Sequence, residues 1–171
     1  MSEPIALTDR ALVAVSGPDW RGFLQGLISQ NVDSLTPGDF RYGLLLSPQG
    51  RVLSDLFILG TADGCLLDVP AAGRAALMQR LKIYKLRAKV DIVADDRSVA
   101  AKLGGPGGDG WLADPRLPAL GFRAYGVAGG DGLDAYDAHR LALGVPGPAD
   151  WGEDSLYALE ADMDHLNAID F

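Results

Sequence analysis

Cysteine is almost missing from this chain: Cys65 is the only one among 171 residues. No disulfide can form within the chain, which fits a reducing compartment. Histidine is nearly as scarce. His139 and His165 lie far apart, and neither stands near Cys65. Zinc and iron–sulfur sites need clustered thiolates and imidazoles, so no metal site built by this chain alone is expected. Basic residues are outnumbered, 15 against 23 acidic ones, for a formal charge of −8. That excludes the broad basic surface that direct DNA binding requires. No apolar run approaches the ~20 residues that span a bilayer. The N-terminus also lacks the basic-then-apolar order of a secretory signal, so no membrane role is expected.

Hydrophobic residues make up 48% of the chain, enough for a substantial core. Cys65 lies in an apolar run, Gly64-Cys65-Leu66-Leu67-Asp68-Val69, and reads as a buried core residue. With 22 glycines and 10 prolines, loops are frequent. The glycine-rich stretch 104–110 lacks the Gly-Lys-Ser/Thr ending of a phosphate-binding loop. The basic residues are unevenly spread: Arg80, Lys82, Lys85, Arg87 and Lys89 fall within ten positions.

Residues 10–15 read as a strand. Ser16-Gly17-Pro18-Asp19 then offers a helix start. Trp20, Phe23, Leu24, Leu27 and Ile28 form one apolar helical stripe, which predicts a helix ending near residues 29–31. Strands are expected over 40–46 and 52–59, joined by a turn at Ser47-Pro48-Gln49-Gly50. Another is expected over 65–69, and a helix over 70–81 with Ile83 a further inward candidate. Leu86, Ala88, Val90 and Ile92 alternate with charged residues, which predicts a half-buried strand. Shorter strands follow at 99–103, 111–114 and 121–127, then a helix over 133–143. This order is that of an α+β fold rather than a parallel α/β sheet. Two lobes are expected, residues 1–95 and 96–171.

Three segments carry more polar groups than packing needs. In Gln25 to Asn31, Asn31 can cap a helix end or offer its amide to a heteroaromatic ring. In Ser47 to Asp55, Asp55 interrupts an apolar strand and faces either solvent or a pocket. In Lys82 to Lys89, a basic face surrounds Tyr84, which is either simply solvated or an anion site beside an aromatic plate. Together they suit a reduced pteridine. Its amino-pyrimidinone edge donates paired N–H groups to a carboxylate, and its anionic tail needs Arg or Lys.

The runs Gly17-Pro18-Asp19-Trp20 and Phe23 to Val32, then Leu44 to Asp55 and Leu81 to Val90, occur in the order seen in YgfZ-type proteins. So do Asp114-Pro115-Arg116 with Leu120 to Arg123, and Tyr136 with His139 to Pro146. The chain resembles this family of tetrahydrofolate-binding relatives of the glycine-cleavage T-protein. The family's mitochondrial counterpart is an iron–sulfur cluster assembly factor. The resemblance implies the N-terminal part of a T-protein-like folate-binding fold around a central cavity. It also implies that the chain stops before the family's Lys-Gly-Cys-Tyr-x-Gly-Gln-Glu motif and lacks the C-terminal barrel. Self-association is then expected through Leu156, Leu159, Leu166 and Phe171.

By the same resemblance, tetrahydrofolate or a one-carbon derivative is the implied cofactor. Asn31 and Asp55 would lie near the pterin or the reacting carbon, with Asp55 the catalytic candidate. Tyr84, Lys85 and Arg87 would line the cavity, and Glu160 and Asn167 would help to close it. The implied function is support of iron–sulfur cluster assembly or repair. The implied partners are folate and iron–sulfur client or assembly proteins, tRNA-modifying clients among them. The implied location is the cytoplasm, or the mitochondrial matrix in a eukaryote. Two other readings stand beside it: a folate-dependent aminomethyl or one-carbon transferase, and a scaffold that has lost folate binding. The T-protein commonly has paired aspartates where this chain has Ser54-Asp55, which weakens the transferase reading.

Overall fold

The computed structural model describes residues 3–152 and 155–170. The chain forms β1 (Ile5–Ala6), β2 (Arg10–Ser16), α1 (Trp20–Gln25), β3 (Phe40–Leu46), β4 (Val52–Gly60) and β5 (Gly64–Pro70). Then come α2 (Arg74–Tyr84), β6 (Asp91–Asp95), β7 (Val99–Lys102), β8 (Leu112–Ala113), β9 (Phe122–Tyr125), α3 (Leu133–Ala142) and α4 (Pro148–Trp151). The class is α+β, as the element order predicts. No helix among the described residues is long and apolar enough to cross a membrane.

Two antiparallel sheets organise the molecule. One has the order β3-β4-β5-β2-β6 and lies within residues 10–95. The other has the order β1-β7-β9-β8 and takes an edge strand from the N-terminus. Side chains alternate between the faces of each strand. On one face of the larger sheet, Val13, Val15, Ile58 and Leu67 meet Leu24 of α1 and Leu81 of α2. On the other face, Tyr42, Leu44 and Phe57 meet Leu120, Trp151 and Met163. Leu12 and Leu66 on that face join Val99 and Tyr136. A sheet covered on both sides explains why β4 and β5 read as nearly continuous apolar runs. Cys65 is buried in the first cluster, as expected, and burial pushes its thiol pKa up to about 12.

Four expectations are corrected. The first helix ends at Gln25, short of its apolar stripe. Gly22 and Gly26 weaken it, and Ile28 leaves it to bridge Leu45 of β3. The alternating run from Leu86 becomes a strand only at Asp91. Local bonds win over strand pairing there: the Ala88 N–H donates to Lys85 O at 2.7 Å, and the Val90 N–H to Ala88 O at 3.0 Å. Ile83 points outward and is exposed. The fourth correction concerns the C-terminal segment. Leu166 is buried, and Leu156 packs into the same cluster. Leu159 is exposed, while Phe171 lies outside the described residues.

Two buried polar residues lock that segment onto β3. The Ser29 hydroxyl donates to Ala168 O at 2.5 Å and accepts from the Leu44 N–H at 2.9 Å. The Gln30 amide nitrogen donates to Tyr42 O at 2.7 Å and to Asn167 O at 2.9 Å. Each replaces bonds to water that burial removes. We predict that Ser29→Ala costs about 1–3 kcal/mol by stranding these partners. Denaturant unfolding measures the loss. Amide exchange at Leu44, whose N–H loses its acceptor, rises by more than global destabilisation explains.

Candidate functional site

A cavity of about 410 Å³ opens between the larger sheet and residues of β9, α3 and α4. Asp55 lines it, together with Arg10, Arg116, Arg123, Tyr136 and Arg140. Asp55 sits on β4 two residues before Phe57, so both side chains share the sheet face turned to the second sheet. In the register of the sheet, Phe57 lies opposite both Tyr42 and Asp68.

The floor of the cavity is a buried ionic network. Asp68 is completely buried. Its carboxylate accepts from Arg10 Nε at 2.7 Å, Arg123 Nη1 at 2.6 Å and the Tyr125 hydroxyl at 3.1 Å. Arg10 reaches on through Nη1 to Asp55 at 2.8 Å, and the Tyr42 hydroxyl donates to the other Asp55 oxygen at 3.1 Å. A second branch joins Arg123 Nη2 and Arg116 Nη2 to the Tyr136 hydroxyl at 3.0 and 2.8 Å. Arg116 also forms a two-pronged pair with Asp114, at 3.0 and 2.7 Å. The Phe57 ring lies under the guanidinium carbons of Arg123, Arg116 and Arg10, at 3.8, 4.7 and 5.4 Å. Such contacts favour a flat cation over an aromatic face.

The charges in this network are locked. Burial alone would raise the Asp68 pKa, but Arg10 and Arg123 outweigh it and hold the carboxyl below its ordinary value. Burial would lower the Arg10 pKa, but Asp55 and Asp68 overcome it and raise it. The Tyr42 phenol is pushed up by burial first and then by the Asp55 charge. Tyr125 is pushed up by burial and then by Asp68. Both phenols therefore stay protonated and act as donors. Asp55 has accepted two hydrogen bonds, and a carboxylate can accept about four. It retains acceptor capacity where it lines the cavity.

The structure does not gather all the residues predicted from sequence. Asp55 lies in the cavity. Tyr84 lines a separate cleft with Leu27, Pro48 and Gly50. Lys85 donates from Nζ to Val90 O at 2.8 Å, and Arg87 is exposed. The Asn31 side chain accepts from the Asp33 N–H at 3.0 Å, a local turn. Glu160 caps its own turn by accepting from the Tyr157 N–H at 2.8 Å. Asn167 donates to Pro115 O at 3.1 Å and so braces the segment that carries Arg116.

Sequence reasoning missed Arg10, Asp68 and Tyr125. Asp68 gave the same signal as Asp55: one acid inside an otherwise apolar strand. Arg116, Arg123 and Tyr136 entered only as parts of family motifs, without a role.

Two outcomes test the network. Asp68→Asn leaves Arg10 and Arg123 buried without their shared counter-charge, so it costs about 3–5 kcal/mol in denaturant unfolding. The pH dependence has a definite sign. A carboxyl whose pKa is lower in the folded state stabilises fully above its unfolded value, about 4, and that contribution is lost as pH falls through the folded value. The melting temperature is therefore flat from about pH 7 to 5 and falls below about pH 4. The fall is shallower in Asp68→Asn.

Comparison with known proteins places this geometry. Residues 7–113 match the GCVT N-terminal domain family. The mitochondrial "Iron-sulfur cluster assembly factor IBA57 homolog" of Neurospora crassa is 32% identical over 96% of this chain and 46% of its own length. That of Pyricularia oryzae is 34% identical over 97% of this chain and 49% of its own length. The chain thus spans about half the length of these relatives. Among solved structures, the glycine cleavage system aminomethyltransferase T of Bartonella henselae shares the fold. Its TM-score is 0.54 at 23% identity, over 58% of this chain and 28% of that one. With the match running through more than half of its residues, β2 to β8 included, the chain belongs to the GCVT N-terminal domain family.

Proposed function

We propose that this protein binds a reduced folate in the Asp55 cavity and supports iron–sulfur cluster assembly or repair. The observation that carries the folate reading is a buried carboxylate with spare acceptor capacity on the wall of a ~410 Å³ cavity. That volume is in the range of small-ligand sites. The Asp55 carboxylate accepts the paired N–H donors of the amino-pyrimidinone edge. Tyr136 and the prolines Pro70 and Pro148 wall the ring. Arg140, already paired with Asp137 and Asp150 at 2.6 and 2.8 Å, exchanges those partners for the anionic tail at the cavity's edge. The assembly role is supported by the names of the fungal relatives. The word mitochondrial in those relatives' names supports the mitochondrial matrix as its location if it is eukaryotic, and the cytoplasm is the location proposed otherwise. Asn31, Tyr84, Lys85 and Arg87 take no part in this cavity, and Asn167 acts by bracing it.

Tetrahydrofolate titration under reducing conditions tests the proposal. Trp151 lies on α4, whose first residues line the cavity, so its fluorescence reports occupancy. Saturable quenching is expected, with binding weakened at least tenfold in Asp55→Asn, about 1.4 kcal/mol. Arg140→Ala, at a half-buried position, is expected to weaken polyglutamyl folates more than the monoglutamate. Absence of saturation, or equal binding by Asp55→Asn with its fold intact by circular dichroism, overturns the folate reading.

A further inference from the structure

The turn after α2 presents an apolar knob where solvent should favour a polar one. Leu86 is 85% exposed and Ile83 is 60% exposed. Leu86 also holds a left-handed backbone, φ 45°, which glycine or asparagine adopts with less strain. The turn is firmly built. Lys89 lies against the start of α1, where its N–H donates to the Asp19 carboxylate at 2.7 Å. Its carbonyl lies so close to Gly17 (φ 103°) that a Cβ there would stand 2.5 Å from the oxygen. Around the knob stand Lys82, Arg87 and Lys89, all exposed, in a chain whose net charge is −8. A rigid, strained and solvent-facing leucine in a basic collar is poorly explained by the needs of folding alone.

The complementary surface is on the same molecule. Leu159 is 67% exposed and Tyr157 44% exposed, and Glu160, Asp162 and Asp164 around them are exposed acids. The two patches flank one hairpin turn. Tyr84, at the end of α2, shares a cleft with Pro48 and Gly50. The next residue, Arg51, bridges to Tyr157 and lays its guanidinium 4.9 Å from that ring. A basic apolar knob and an acidic apolar patch on either side of one turn form a self-complementary face. A two-fold axis through such a face brings each knob onto the other copy's patch.

We propose that this face binds a second copy of the chain, each Leu86 knob seating on the Leu159 patch of its partner. The contact is closed, so association stops at the dimer. The collar charges lie near their counter-charges, within the reach of about 8–10 Å that salt leaves unscreened, whereas the overall repulsion of two acidic chains is largely damped. The contact is small and therefore weak.

Sedimentation velocity of the intact chain from about 10 µM to about 1 mM tests it across the range of weak affinities. A monomer–dimer equilibrium is expected, shifted toward monomer by high salt. Leu86→Asn weakens the dimer at least tenfold while its melting temperature stays level or rises, because asparagine suits the left-handed turn. Lys82→Glu with Arg87→Glu abolishes self-association, and so does Asp164→Lys with Asp162→Asn and Glu160→Gln. Mixing these two variants restores a dimer containing one of each, since both contacts regain opposite charges. A monomer at every concentration overturns the proposal. So does a dimer indifferent to Leu86→Asn, a larger open assembly, or failure of the mixed variants to pair. None of these readouts involves folate, so this proposal stands or falls apart from the Asp55 cavity.

Discussion

Asp68 is the single group on which the arrangement of this molecule most depends. One carboxylate, wholly buried in the central sheet, binds Arg10 from β2, and Arg123 and Tyr125 from β9 of the second sheet. Removing these charges from water is costly, and only dense mutual pairing offsets it. The pairing is dense here: Arg10 also holds Asp55, and Arg123 also holds the Tyr136 hydroxyl. Hydrophobic contact between the layers would tolerate small slips. A branching set of charged bonds with directions and lengths does not. The network therefore does for the placing of one sheet on the other what the apolar clusters cannot do alone. The same bonds fix the floor of the cavity, because Arg10, Asp55, Arg116, Arg123 and Tyr136 all line it.

Phe57 shows how the apolar and ionic parts depend on each other. Its ring fills the space beneath three guanidiniums and also stacks against Phe40, with centroids 5.7 Å apart. A smaller residue would leave the arginines without a surface to lie on and would admit water to ion pairs that depend on its exclusion. Asp55, two residues earlier on the same face, sits at the boundary between this dry network and the open cavity. That boundary is where a carboxylate can be held rigidly and still meet a ligand.

Most strands of the larger sheet were legible in the sequence, because apolar runs bounded by Pro and Gly turns leave few alternatives. The α+β class followed from their order. What misled was periodicity without context. Leu86 to Ile92 alternates as a strand should, yet Lys85 satisfies the carbonyl of Val90 and the backbone closes into a turn. Trp20 to Ile28 has a helical stripe, yet β3 offers Ile28 a sheet partner. Of the candidate site, Asp55 could be found, since a lone acid in an apolar strand is a visible anomaly. Its partners could not be assigned. The pairing of Arg10 with Asp68 spans 58 positions, and that of Arg123 with Asp68 spans 55, and no local pattern records such a match. Ser29 and Gln30 were singled out as part of a polar segment, but their task is to anchor residues 167–168, which also becomes visible only in three dimensions.

The position of Arg10 decides what chemistry Asp55 can do. The Asp55 carboxylate is oriented by Arg10 on one oxygen and by Tyr42 on the other. Such a group is held ready to recognise a donor edge. The two branches of the network have unequal freedom to change. Arg10 cannot leave Asp55 without disturbing Asp68 and, through it, Arg123. Arg140, by contrast, pairs at the mouth with two acids that solvent reaches, so a change of partner strands no buried carboxylate. A ligand entering this cavity therefore meets a fixed acceptor at the inner wall and an exchangeable cation at the entrance. That order suits a molecule with a neutral hydrogen-bonding head and an anionic tail, and it disfavours one that enters charge-first.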